Sequence, residues 1–209
     1  MPPPLPDRVA NPSNAVVVSY QHDGTVRWTA RIGTHTTFDR GWAIASLADG
    51  SIAVTGDFEE RAFVASYSAA GKLRWLRRAS AESAIRGVIA HGNELITAFL
   101  VDSDVVIAGA QRSLQLTPRA MDTALVRWSL DGEPLAAGRL AGEVPHSKSE
   151  RDGDELDVGI LAGSAAGRIA AVGRLWGTGL VEPGDLLRGG TRLVAKHEHD
   201  LALFVLDPN

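Results

Sequence analysis

The chain of 209 residues has no cysteine, which excludes a disulfide scaffold, a thiolate metal site and a cysteine nucleophile. Lysine is scarce too: of 21 basic residues, only Lys72, Lys148 and Lys196 are not arginine. That bias reads as a GC-rich coding sequence rather than an arginine-built site. Net charge is -4, so no basic surface points to nucleic acid. No apolar run approaches the ~18 residues of a membrane-spanning helix. No long segment shows helical periodicity with caps. There is no G-x-S-x-G elbow, no P-loop and no dinucleotide fingerprint. The start, Met1-Pro-Pro-Pro-Leu-Pro-Asp-Arg8, lacks a basic region followed by an apolar one, so it is not a signal peptide. Residues 1–13 read as an extended, disordered lead-in.

What the chain does have is an internal repeat, the first thing to seek in any sequence. Asn14-Ala-Val-Val-Val-Ser-Tyr20 runs into Gln-His-Asp-Gly24 and then Thr-Val-Arg-Trp28. Arg61-Ala-Phe-Val-Ala-Ser-Tyr67 runs into Ser-Ala-Ala-Gly71 and Lys-Leu-Arg-Trp75. Asp122-Thr-Ala-Leu-Val-Arg-Trp128 runs into Ser-Leu-Asp-Gly132 and Glu-Pro-Leu-Ala136. Asp200-Leu-Ala-Leu-Phe-Val-Leu206 is a fourth copy, followed by Asp-Pro-Asn209. An aromatic precedes the turn glycine by four residues in three copies, and a Trp follows it by four in two. A second module alternates with the first: Gly50-Ser-Ile-Ala-Val-Thr-Gly56 matches Gly167-Arg-Ile-Ala-Ala-Val-Gly173, and Gly92-Asn-Glu-Leu-Ile-Thr-Ala98 fits loosely. Short β-branched runs bounded by Gly, Asp or Asn predict strands joined by tight turns.

Four strand types follow: A near 41–47, B near 51–57, C near 61–67 and D near 72–78. Four short strands per unit of about 40–50 residues predict β-propeller blades. One small sheet cannot bury both faces alone, so such units must stack. Ala, Gly and Ser alternating with Val and Ile allow close approach, and the Trp of strand D is a large plate for the junction. Trp28 and Trp75 are therefore expected to be structural.

At these residues the chain resembles the bacterial SBBP-type β-propeller repeat family, in which a segment like DAFVAKYDAAG precedes xxxW, a Gly-rich turn and DGxxxVTG. Arg61–Trp75 and Gly41–Phe58 carry the likeness best, with Asp49-Gly50-Ser-Ile-Ala-Val-Thr-Gly56-Asp-Phe58 very close to the pattern. The resemblance implies the fold and, from its other members, a place in a larger surface or secreted protein. It is nearly silent on activity. Quinoprotein propellers also repeat G-x-x-x-W, but no matching position here supplies a cofactor ligand.

The expected fold is thus all-β, with four-stranded antiparallel blades in a β-propeller-like array. The strands read C-D, A-B-C-D, A-B-C-D and A-B-C, about three blade-equivalents of an incomplete ring. The units fall at 14–40 (partial), 41–80, 84–142 and 156–209 (partial), in a single repeat domain over 14–209. This count suggests a piece of a longer propeller, or several chains completing one ring. Open sheet edges offer self-association.

Three insertions interrupt the repeat. Strand B to C takes 11 residues from Gly56 to Tyr67, but 30 from Ala98 to Trp128 and 33 from Gly173 to Leu206. The extra residues lie near 101–121 and 177–198, at equivalent places, and a binding face for a protein or glycan built from both is the sharp expectation. The third, near 143–156, contains Asp152, Asp154 and Asp157 around Gly153. Its spacing is not that of a calcium loop, so it reads as solvated. His197 and His199 flank Glu198 without H-E-x-x-H spacing or a nearby third ligand. Asp200 aligns with Asp122 and Asn14 as a strand-start residue, so no metal is expected. No catalytic, cofactor-binding or metal residues are assigned. The function expected is a non-enzymatic binding or structural module. The alternatives are a propeller-type enzyme whose site needs residues outside this chain, or a degenerate fragment with no independent function.

Overall fold

A computed structural model describes residues 13–33, 38–118, 121–142, 155–163, 168–176, 178–182, 191–194 and 200–206. Most of the lead-in, most of the 143–156 insertion and the segment 195–199 lie outside these residues. Every regular element among the described residues is a strand, and all pairing is antiparallel.

The first sheet is a hairpin of β1 (Ala15–Tyr20) and β2 (Val26–Ile32). The second is a four-stranded meander of β3 (Arg40–Ser46), β4 (Ile52–Phe58), β5 (Arg61–Tyr67) and β6 (Leu73–Arg78). The third is built on β7 (Ala84–His91), β8 (Glu94–Val101), β11 (Asp122–Ser129) and β12 (Pro134–Gly142). The fourth has β13 (Glu155–Gly163), β14 (Ile169–Trp176) and β17 (Asp200–Leu206).

One turn recurs four times. The N–H of the first residue bonds the carbonyl four residues on, and a glycine amide bonds back to the first residue's carbonyl. The sets are Gln21/Gly24/Thr25, Leu47/Gly50/Ser51, Ser68/Gly71/Lys72 and Ser129/Gly132/Glu133. Each glycine has φ between +77° and +84°, the left-handed region that side chains resist. That is why the glycine spacing is so regular.

The sheets stack face to face. Ala15, Val17 and Ile32 meet Val54, Phe63, Ala65 and Tyr67 between the first and second. Ala53, Ala62, Val64 and Trp75 meet Phe99, Ala124, Val126 and Trp128 between the second and third. Ile96, Ala98 and Leu125 meet Val158, Ile169 and Ala171 between the third and fourth. On β5 the period of two sends Phe63 and Ala65 one way and Ala62 and Val64 the other. A strand covered on both faces must be apolar throughout.

The tryptophans of β2 and β6 tie these junctions. Trp28 stacks on Tyr67 with ring centroids 6.1 Å apart, and its indole N–H donates to the Ala69 carbonyl at 3.1 Å. Trp75 stacks on Trp128 at 6.4 Å and donates to the Leu130 carbonyl at 2.8 Å. Each ring lies on the turn glycine of the following sheet. A Cβ at Gly71 would come within 2.5 Å of Trp28, and one at Gly132 within 2.6 Å of Trp75. Both tryptophans are therefore structural, as their spacing predicts.

The series does not close into a ring. The outer faces of the first and fourth sheets remain exposed, with Val16, Val18 and Tyr20 on β1 and Leu201, Leu203 and Val205 on β17.

Both long B-to-C insertions fold as hairpins. The first forms β9 (Val105–Ala108) and β10 (Ser113–Leu116), and the second β15 (Thr178–Glu182) and β16 (Thr191–Val194). Each reaches back to the last strand of the preceding sheet. β9 meets the chain just after β6 through an Ala79–Ile107 bridge, with the Ser80 amide on the Val106 carbonyl at 2.9 Å. β15 pairs with β12 from Arg139 to Gly142 and makes the third sheet six-stranded. An open strand edge invites unwanted pairing; β15 covers part of that of β12, while β9 meets the chain only just beyond the end of β6.

Candidate functional site

The first strands of the second, third and fourth sheets share an irregularity. Pairing slips between Gly41 and Ala43 on β3, between Ile85 and Gly87 on β7, and between Val158 and Ile160 on β13. The extra residues are Trp42, Arg86 and Gly159. A bulge re-aims the side chain it displaces, and here two such side chains converge. The Arg86 guanidinium lies 5.3 Å from the Trp42 ring centre, and that of Arg40 lies 5.8 Å from it.

The second glycine of the Gly-x-Ile-Ala-x-x-Gly module belongs to this device. Gly56 on β4 sits opposite Gly41, beside the bulge, and a Cβ there would run into the Arg40 carbonyl. Gly173 on β14 is opposite Val158, and a Cβ there would strike the Asp157 carbonyl. For Gly50 and Gly56 the six-residue spacing therefore joins a turn requirement to a bulge requirement.

Trp42 and the two arginines stand in an open cleft of about 380 Å³ between the second and third sheets. The Trp42 indole N–H donates to the Asp57 carboxylate across the β3–β4 pair. Glu60, Glu82 and Asp102 bring further carboxylates to the walls. Among the described residues, Arg40 and Arg86 make their close electrostatic contacts with the Trp42 ring and no ion pair. Their N–H groups are left for a ligand or for water. The only hydroxyl in the lining, that of Ser83, is spent on backbone: it donates to the Ala81 carbonyl and accepts from the Ala62 amide.

The rim is strained. The β4–β5 connection is two residues, Glu59 and Glu60, with φ of 49° and 61°. Turns of this kind favour Asn-Gly, because a side chain in the left-handed region costs about 1–2 kcal/mol. Glu59 is held by its surroundings. Its amide donates to Asp39 at 3.1 Å and its carboxylate takes an ion pair from Arg78 at 2.8 Å. Arg78 also bonds the Phe58 carbonyl and lies 4.1 Å over the Phe58 ring. Glu60 gains no such support for its side chain and faces the cleft. Strain of this sort gathers at ligand sites.

The insertions expected to carry a binding face lie mostly away from this cleft. The hairpin within 101–121 lies on the outer edges, with its turn clamped by Glu133, whose carboxylate accepts the amides of Ala110, Gln111 and Arg112 at 2.7–3.0 Å. These bonds hold the Glu133 carboxyl below the usual carboxylate range. Among the described residues of that insertion, only its roots, Asp102 and Met121, reach the cleft. The described part of 177–198 pairs along β12, so the two insertions share a role at sheet edges. Asp157 is on β13, largely buried and in an ion pair with Arg174 at 3.2 Å. Asp152, Asp154, His197, Glu198 and His199 lie outside the described residues, and Asp200 begins β17, opposite Leu175.

Reasoning from sequence missed Trp42, Arg40 and Arg86. One signal was present: a tryptophan stands in Gly41-Trp-Ala-Ile-Ala-Ser where the other A strands have Arg and Gly. Comparison with known protein families and with curated proteins finds no match to this chain.

Proposed function

We propose that the chain is a segment of an SBBP-type β-propeller repeat, working as a non-enzymatic binding module within a larger surface or secreted protein. Its ligand is a glycan, held in the cleft between the second and third sheets. The observation that carries this reading is the convergence of two bulge side chains, Trp42 and Arg86, in one open cleft. An exposed indole edge, guanidinium donors and carboxylate acceptors suit a hydroxyl-rich chain, which offers both donors and acceptors and weakly apolar C–H faces. The blade reading is supported by the recurring turn, the recurring Trp-on-Gly junction and the stacking of successive meanders.

The test is a panel of neutral and uronate-bearing oligosaccharides, followed by calorimetric titration of the best binder, a readout that does not depend on Trp42. Binding with Kd on the order of 10 μM to 1 mM, or about -7 to -4 kcal/mol, is expected. Trp42→Ala abolishes it and Arg86→Ala weakens it about tenfold, the loss of ~1.4 kcal/mol. Binding that survives Trp42→Ala, or no binding across the panel, refutes the proposal.

A further inference from the structure

The two outer faces of the stack are of opposite kind. At the inner junctions, one sheet's β5-type residues meet the next sheet's residues of the alternate set. Between the second and third sheets, Ala62 and Val64 lie on one side, and Ala124, Val126 and Trp128 on the other. In the repeat, Val16, Val18 and Tyr20 stand where Ala124, Val126 and Trp128 stand in the third sheet. Leu201 and Leu203 stand where Ala62 and Val64 stand in the second, and Ala170 and Val172 where Ala53 and Thr55 stand. So the first sheet shows solvent a receiving face, and the fourth shows the face that everywhere else is received.

Both faces are apolar beyond what isolated surface residues explain. Val16 is 61% exposed and Tyr20 61%, while Leu201 is 78% exposed and Leu203 66%. Cross-strand pairing puts Ile160, Val172 and Leu203 side by side, with Ala170 beside Val205. At one end of that face Arg174 pairs with Asp157. On the first sheet Val18 stands opposite Thr29 and Val16 opposite Arg31, so a polar strand borders the apolar one.

We infer that the larger assembly this segment belongs to is built from copies of this chain, an inference that rests on the blade reading above: copies associate head to tail, the fourth sheet of one packing on the first sheet of the next as successive sheets pack within the chain. Such a contact is heterologous, so it propagates until a ring closes or a fibre grows.

The experiment is light scattering on the full chain across a concentration series, with variants on each face. The expected result is a species at a multiple of 22.1 kDa, or a fibre built from such steps. Val16→Glu on the first sheet and Leu203→Glu on the fourth each give a monomer when alone. Mixed, they give a 1:1 pair that does not grow, because the mixture contains one intact face of each kind. Circular dichroism melts check that each variant is folded, and Tyr20→Lys and Leu201→Lys replace any that is not. A wild-type monomer at every concentration overturns the inference, and leaves the first face, whose Gly24 turn has open space where Gly71 and Gly132 hold a tryptophan, to a different sheet bearing its own Trp. A multimer that survives either substitution also overturns it and places the contact elsewhere, strand-edge pairing included.

Discussion

Gly132 and Gly24 occupy the same position of the same turn, with φ of +79° and +84°. Their surroundings differ. A Cβ at Gly24 meets nothing within 4 Å, whereas one at Gly132 comes within 2.6 Å of the Trp75 ring. Gly24→Ala therefore tests backbone strain alone, about 1–2 kcal/mol. Gly132→Ala adds the cost of overpacking a buried ring, about 1–3 kcal/mol more. Trp75 cannot yield easily, since it is 8% exposed, stacked on Trp128 and bonded to the Leu130 carbonyl. Trp75→Ala alone costs about 3–5 kcal/mol by leaving a cavity. In the double variant the methyl group at 132 enters space the indole has left, so its steric cost disappears. The coupling in the cycle is then about 1–3 kcal/mol in the compensating direction. Urea unfolding followed by circular dichroism gives all the differences. Equal losses for Gly24→Ala and Gly132→Ala, with additive behaviour in the double variant, would refute the interlock.

Other outcomes can be checked on the same footing. Glu60→Gly relieves a left-handed side chain and raises unfolding free energy by about 1 kcal/mol, while glycan affinity falls, because that carboxylate lines the cleft. An unchanged or lowered stability would show that Glu60 is not strained. Thr97→Val leaves the buried Trp128 indole N–H, now 2.9 Å from Thr97 Oγ1, without its acceptor. The cost should be about 1–3 kcal/mol of unfolding free energy, read from urea unfolding, and no loss would mean that another acceptor serves. Glu133 has its carboxyl lowered by the amides of Gln111, Ala110 and Arg112, so the clamp it forms is present above the ordinary glutamate range and is lost as pH falls through the lowered value. The protection factors of those three amides, taken against the intrinsic exchange rate at each pH, should fall in acid, and at neutral pH in Glu133→Gln. Equal protection in both proteins at neutral pH would remove the clamp.

The repeat strands of the four stacked sheets were legible in the sequence, whereas β9, β10, β15 and β16 lie in segments that read only as insertions. Period-two runs of Val, Ile and Ala bounded by Gly are local signals, and the Gly24, Gly71 and Gly132 spacing reflects a backbone angle that only the turn itself requires. The structural role of Trp28 and Trp75 was legible for a related reason: a plate recurring in register with the turns needs a recurring place to pack. The bulges were not legible, because a bulge exists only relative to the strand opposite it. Gly56 and Gly173 marked its place without revealing which side chains, Trp42 and Arg86, it would turn out. Nor did the insertions disclose their partners. β9 and β15 find the outer strands of the preceding sheets only once those sheets are stacked, since their edge hydrogen bonds link residues far apart in the chain. The exposure of the two end faces is likewise decided by stacking. The same alternation that buries Ala62 and Val64 on β5 exposes Leu201 and Leu203 on β17, because what differs is the presence of a neighbouring sheet rather than the pattern of the strand.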